Sequence, residues 1–182
     1  MARLPRIVLP GIPHHLTQRG NRREKVFFED GDYELYFDLL ADAAGRAGVE
    51  IWSYCLMPNH VHIFAVPRDA DGLSRAFRFV HRHYTGYINA RMRVTGHLWQ
   101  GRFSSVAMDE PHFVAALRYV ALNPVRARLT ERAEDWRWSS TRRISPVRTI
   151  TSSPSPRRSN ASAISLPFWA MGVAPTRMAW FG

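Results

Sequence analysis

The sequence predicts an α+β domain of the ferredoxin-like, split βαβ kind: a central antiparallel sheet with helices packed on it. Three observations carry that expectation. Strand-like and helix-like segments alternate in the order β-α-β-β-α-β-α. The two middle strands are separated only by Pro58-Asn59 and form a hairpin. Both longer helices carry a one-sided apolar stripe.

The elements follow in chain order. "HHLTQRGN" (14–21) reads as a first strand ending in a Gly-Asn turn. From Asp30 a helix is expected, with Tyr33, Phe37, Leu40 and Ala44 at helical spacing and Gly48 as its stop. "VEIWSYCLM" (49–57) is rich in strand formers, and "HVHIFAVP" returns as its hairpin partner. A long helix follows over about 71–94, terminated at Gly96. Its buried stripe is Leu73, Ala76, Phe77, Val80, Tyr84, Tyr87 and Ile88, with Arg75, Arg78, Arg82 and Arg91 largely off it. A fourth strand falls near 102–108. Asp109 or Glu110 caps an added C-terminal helix with Pro111 in its first turn. That helix carries Tyr119 and runs to Asn123, because the residue before Pro124 is biased away from helical dihedrals. After Arg143 the composition shifts to Ser, Pro and Arg without periodicity. The domain therefore spans 1–143, and 144–182 is expected to be a low-complexity basic tail, disordered or loosely docked.

Composition narrows the class. At 182 residues and 46% hydrophobic, the chain is long enough to bury a sizeable core. Cys55, the single cysteine, excludes an intramolecular disulfide and a Cys-rich zinc site, and suits a reducing cytoplasm. The opening "MARLPRIVLPGIPHHL" is broken by prolines and lacks a signal-peptide core; no run of about 18 apolar residues exists, so no membrane span is expected. The net charge is +10, and 24 of the 25 basic residues are arginine. The first 143 residues hold 21 basic and 15 acidic residues, a net of +6, so the tail does not create the basic character. Basic segments interleaved with aromatics, such as "SRAFRFVHRHY", point to a nucleic-acid partner, since guanidinium groups fork phosphates and stack on bases.

"MPNHVHIF" (57–64) carries the chemistry. In a strand, His60, His62 and Phe64 share one face while Val61, Ile63 and Ala65 share the other. Two imidazoles two residues apart form a two-point metal ligand set, although half-exposed histidines alone would look the same. Tyr119 and Asn123, four apart, are neighbours on one helical face, apart from the apolar stripe of Phe113, Leu117 and Val120. An amide oxygen from Asn123 with the two histidines suits Mg²⁺ or Mn²⁺ and leaves positions open for phosphate oxygens. A tyrosine hydroxyl beside such an ion can attack phosphorus and hold the 5′-phosphate covalently, conserving the phosphodiester without ATP. No Walker motif is present.

"MPNHVHIF", "GHLWQGRF", "YVALNPVRARL" and "DWRWSS", in this order and spacing, resemble the REP-associated tyrosine transposases of the IS200-like, single-tyrosine group of HUH nucleases. The resemblance covers about residues 1–143, and the chain departs from it beyond Arg143. It implies that Tyr119 is the nucleophile and that His60, His62 and Asn123 hold the metal. It further implies cleavage and joining of single-stranded DNA at hairpin-forming palindromes, with guide bases read by a cytoplasmic, nucleoid-associated protein that is a monomer or a homodimer. A hairpin-binding regulator of the same fold that no longer cuts is the alternative. An RNA-processing protein is disfavoured because the RNP-type aromatic signature is missing.

Other residues have assigned roles. Arg19, Arg22 and Arg23 at the end of the first strand, and Arg78 and Arg82 on the long helix, are candidate DNA contacts. Trp99 and Arg102 are suited to stacking on and hydrogen-bonding unpaired bases, with closing the core edge as the other reading for Trp99. Tyr84 and Tyr87 are expected in the core, His14 in a structural role, and Trp136 and Trp138 as fasteners of the last segment.

Overall fold

β1 (His14–Arg19) lies inside the sheet because it has two partners. It pairs antiparallel with β3 (His60–Pro67) and with β4 (Ser104–Ala107), and β2 (Val49–Met57) pairs antiparallel with β3. The order β2-β3-β1-β4 is that of two interlocked βαβ units, as the element order predicts. The structure, a computed structural model, describes residues 7–141; the expected tail over 144–182 lies outside the described residues.

α1 (Asp30–Ala47) and α2 (Gly72–Met92) cover one face of the sheet. Strand residues Leu16, Ile51, Leu56, Val61, Ile63 and Ala65 meet Leu40, Ala44, Leu73, Phe77 and Val80 there. The Glu29 N-cap of α1 is closed by Asp32, whose Oδ2 accepts from the backbone N–H groups of Phe28 (2.8 Å) and Glu29 (3.2 Å). Gly48 ends the helix in the left-handed region at φ +65°. On this helix Tyr36 is buried and Phe37 only half-buried, against Tyr54, because a 3.6-residue period admits either position. Tyr36 crosses Tyr84 edge to face at 5.2 Å, and the Tyr84 hydroxyl donates to the Val26 carbonyl at 2.7 Å.

Two expectations about α2 change. The helix stops at Met92 with Arg93 left-handed at φ 54°, before Gly96 is reached. Tyr87 is exposed, its ring under the Arg91 guanidinium, while Ile88 beside it takes the buried place. Of the two readings of Trp99, in the loop after α2, the structure favours closure of the core edge: it is 7% exposed and packs on His81 and the two core tyrosines.

The β2–β3 part of the opposite face is covered by α3 (Glu110–Ala121). Asp109 caps it, accepting from the His112 N–H at 3.0 Å. α3 stops two residues short of the expected Asn123. Pro124 has no N–H to continue the ladder, so Leu122 breaks the helix and Asn123 opens a separate turn, α4 (Asn123–Arg126), with Pro124 in its tolerated first-turn place. Residues 136–140 then run along the outer edge of β2. Leu56 N–H donates to the Trp138 carbonyl (2.9 Å), Ser140 N–H to Tyr54 (3.0 Å) and Trp136 Nε1 to Leu56 (2.9 Å). Trp138 stacks on Tyr33 at 4.7 Å, so the two tryptophans fasten this segment as expected and cover an edge that would otherwise be unpaired.

Candidate active site

Strand register builds the site. On the face away from α1 and α2, Met57, His60 and Arg19 lie in one row across β2, β3 and β1; Cys55, His62, Thr17 and Ser104 form the next; and Phe64, His15 and Val106 the one after. His60 and His62 stand side by side with ring centroids 4.9 Å apart. His15 lies nearly parallel to His62 (5.1 Å) and to Phe64 (4.7 Å). The His15 Nε2 is 2.9 Å from the His62 Nδ1. The His60 Nδ1 is 2.6 Å from the Asn59 Oδ1.

Electrostatics keep these rings neutral. Burial, then the Arg19 guanidinium, lowers the pKa of His60 to about 4. Burial, then His60, His15 and Arg19, lowers that of His62 to about 3. Burial lowers His15 as well. A neutral imidazole has the lone pair that a metal ligand needs, so the donor set fits a divalent ion that accepts nitrogen and oxygen. In both rings Nδ1 is engaged, which leaves Nε2 as the ligand atom.

α3 is seated on this face by apolar contacts. Phe113 sits edge to face on Phe64 (5.4 Å) and Trp52 (5.7 Å), and Val120 packs with Cys55 and Met57, the cross-strand neighbours of His62 and His60. Tyr119, next to Val120, is 54% exposed with the Arg126 guanidinium over its ring at 4.6 Å; Asn123 is 9% exposed. Tyr119 is thus carried by the helix seated on this face, and Asn123 opens the turn that follows it. The β1–β4 part of the face is left open. It runs into a cleft of about 390 Å³ lined by Thr17, Arg19, Gln100, Gly101, Arg102 and Ser104. Gln18 fastens the cleft loop by donating to the Gly101 carbonyl at 2.9 Å.

Among the candidate DNA contacts, Arg19 and Arg102 share that cleft. Arg22 and Arg23 are exposed in the short turn after β1. Arg78 and Arg82 are exposed on α2, in the layer across the sheet from the histidines, so they do not join this surface. His15, Asn59 and Thr17 are additions. Strand parity places His15 and Thr17 with Arg19 on one face of β1, but only the pairing with β3 reveals that this is the histidine face. His14, as expected, is structural: it accepts from Leu9 N–H (3.2 Å) and bonds the Ile12 carbonyl (2.8 Å).

A four-stranded antiparallel sheet of this order, with helices on both faces, has the fold of a solved REP-associated tyrosine transposase. A solved REP-associated tyrosine transposase bound to a REP hairpin superposes with a TM-score of 0.67 at 20% identity, over 87% of this chain and all of that one. A crystal structure from Deinococcus radiodurans R1 aligns with a TM-score of 0.46 at 19% identity, over 65% of this chain and 95% of that one, and adds nothing to the fold assignment. No curated protein matches the chain. The model of the family "Transposase IS200 like" matches residues 10–123, and the chain belongs to that family. It is a transposase-like protein of DNA processing. Among the described residues no helix is long and apolar enough to cross a membrane.

Proposed function

We propose that this protein is a metal-dependent endonuclease and strand transferase for single-stranded DNA at hairpin-forming palindromes, with Tyr119 as nucleophile. The observation that carries the reading is the docking of α3, through Phe113 and Val120, on the sheet face where His60 and His62 stand side by side. His60, His62 and Asn123 would hold Mg²⁺ or Mn²⁺. When bound, the ion supplies positive charge for the scissile phosphate.

The chain's own groups do the rest. The Tyr119 oxygen bonds to phosphorus and the bond to the 3′ oxygen breaks. A 5′-phosphotyrosine and a free 3′ hydroxyl result, with the tyrosine proton passing to the departing oxygen. The reverse step rejoins strands without ATP. Arg19, Arg22, Arg23 and Arg102 supply phosphate contacts, and the polar cleft has the donors and acceptors to read unpaired bases beside a stem. The solved relative is bound to a REP hairpin, which supports a hairpin substrate here.

The test mixes the full-length protein with a labelled single-stranded hairpin oligonucleotide and Mn²⁺, followed by denaturing electrophoresis. A metal-dependent band that survives denaturation and vanishes in Tyr119→Phe, with hairpin binding retained, is expected. Tight binding without cleavage would make the protein a hairpin-binding regulator. Cleavage surviving in Tyr119→Phe would remove Tyr119 from the reaction.

A further inference from the structure

We propose that Asn59 and His15 are positioning residues. Each fixes the proton and orientation of one imidazole, so that the Nε2 atoms of His60 and His62 face the same ion. The inference rests on the metal reading above and assigns work to two residues outside the ligand set.

Asn59 has one possible arrangement. Its Nδ2 donates to the Arg23 carbonyl at 3.1 Å, so its Oδ1 is the atom that meets the His60 Nδ1 at 2.6 Å. An amide oxygen only accepts, so the proton must be on Nδ1 of His60, and the lone pair falls to Nε2. The turn that carries Asn59 is itself held. The Asn59 carbonyl accepts from Gly20 N–H (2.8 Å), and the Pro58 carbonyl accepts from the N–H groups of Val26 (2.8 Å) and Phe27 (3.1 Å). The Arg23 carbonyl is turned toward Asn59 by two consecutive left-handed residues, Arg22 at φ 53° and Arg23 at φ 64°. Non-glycine residues adopt that region at a cost in strain, and two in succession mark a turn held by its surroundings.

His15 does the same for His62 by a different route. Its ring is held nearly parallel to Phe64 and to His62, which aims its Nε2 at the His62 Nδ1 at 2.9 Å. A metal on the His62 Nε2 requires the proton on its Nδ1, and the His15 Nε2 is the acceptor for that proton. His15 then keeps its own proton on Nδ1. Partners of this kind raise ligand basicity and hold ring orientation; losing one typically lowers metal affinity 10- to 100-fold.

The experiment titrates Mn²⁺ into the full-length protein and follows free Mn²⁺ by electron paramagnetic resonance. Asn59→Ala and His15→Phe are compared with wild type, with His60→Ala as reference and a thermal melt for each. The variants are expected to bind Mn²⁺ about 10- to 100-fold more weakly. Asn59→Asp and His15→Gln, which keep an oxygen to accept the same Nδ1 proton, should recover most of the loss. Near-wild-type affinity in Asn59→Ala and His15→Phe, with binding lost in His60→Ala, would overturn the inference and leave the metal reading intact. Absence of Mn²⁺ binding in wild type would overturn both. A second measurement needs neither metal nor variant: nitrogen-15 shifts of the His60 ring in the metal-free protein. The Nδ1–H form is expected, and the Nε2–H form refutes the role of Asn59.

Discussion

Truncating Phe113 tests whether the helix that carries Tyr119 must be seated on the sheet for covalent chemistry. α3 is held to the histidine face by two buried side chains, Phe113 and Val120, with Ala116 and Leu117 half-buried beside them. At about 1.5–3 kcal/mol for each buried apolar side chain, the two supply roughly 3–6 kcal/mol of docking. A buried Phe→Ala change costs about 3–5 kcal/mol, comparable to the whole of that docking. Phe113→Ala is therefore expected to release α3 locally, while the core between the sheet and α1 and α2, on the other face, stays folded. A loss of about 3 kcal/mol raises the open population by roughly 10²-fold. Hydrogen exchange over 110–121 should accelerate by about that factor, and covalent capture of a hairpin oligonucleotide should fall in proportion to the seated fraction that remains. Unchanged exchange over 110–121 would refute the docking account. Faster exchange with wild-type capture would show that Tyr119 reacts without being seated by this helix.

Two further outcomes follow from the same geometry. A Cβ at Gly20 would lie 2.3 Å from the Glu24 carbonyl oxygen and 2.8 Å from Val26 Cγ1, so Gly20→Ala must displace the loop that clamps the Pro58-Asn59 turn. It should cost about 1–3 kcal/mol and lower Tm by several degrees; a melt indistinguishable from wild type would refute the close packing. His60 and His62 stay neutral in the fold down to about pH 4 and about pH 3, whereas in the unfolded chain they take up protons below about pH 6.5. Their contribution is present above pH 6.5 and lost as pH falls toward 4. Urea unfolding of the EDTA-treated protein should show a loss of about 1–2 kcal/mol for each histidine between pH 6.5 and 5. A flat urea midpoint across that range would refute the burial of the pair.

The alternation of strand and helix patterns and the motif around His60 and His62 are legible because they are local, set by side-chain period and turn chemistry. What escapes the sequence depends on register and rotation. His15 becomes a neighbour of His62 only once β1 is paired antiparallel with β3, and nothing within "HHLTQR" specifies that offset. Trp99 reads equally as a stacking residue and as a closure of the core edge, and only the packing of its ring beside Tyr36 and Tyr84 selects the second. Arg78 and Arg82 resemble Arg19 in composition, but the sheet lies between the two layers. The break at Leu122 is the exception: Pro124 announces it, and only the resumption of helix at Asn123 is new.

The tandem histidines at the start of β1 have a consequence for how such a protein can change. His14 holds the preceding segment on one side of the sheet, while His15 touches His62 on the other. Sliding this strand by a single position would exchange those duties and turn every residue of β1 over. An interior strand paired on both sides has no freedom to lengthen or shift without dismantling the core and the histidine face together. Altered DNA preference must therefore arise in stretches outside the ladder, and the Gln100–Arg102 loop beside Arg19 is where new side chains can be tried without moving the histidines.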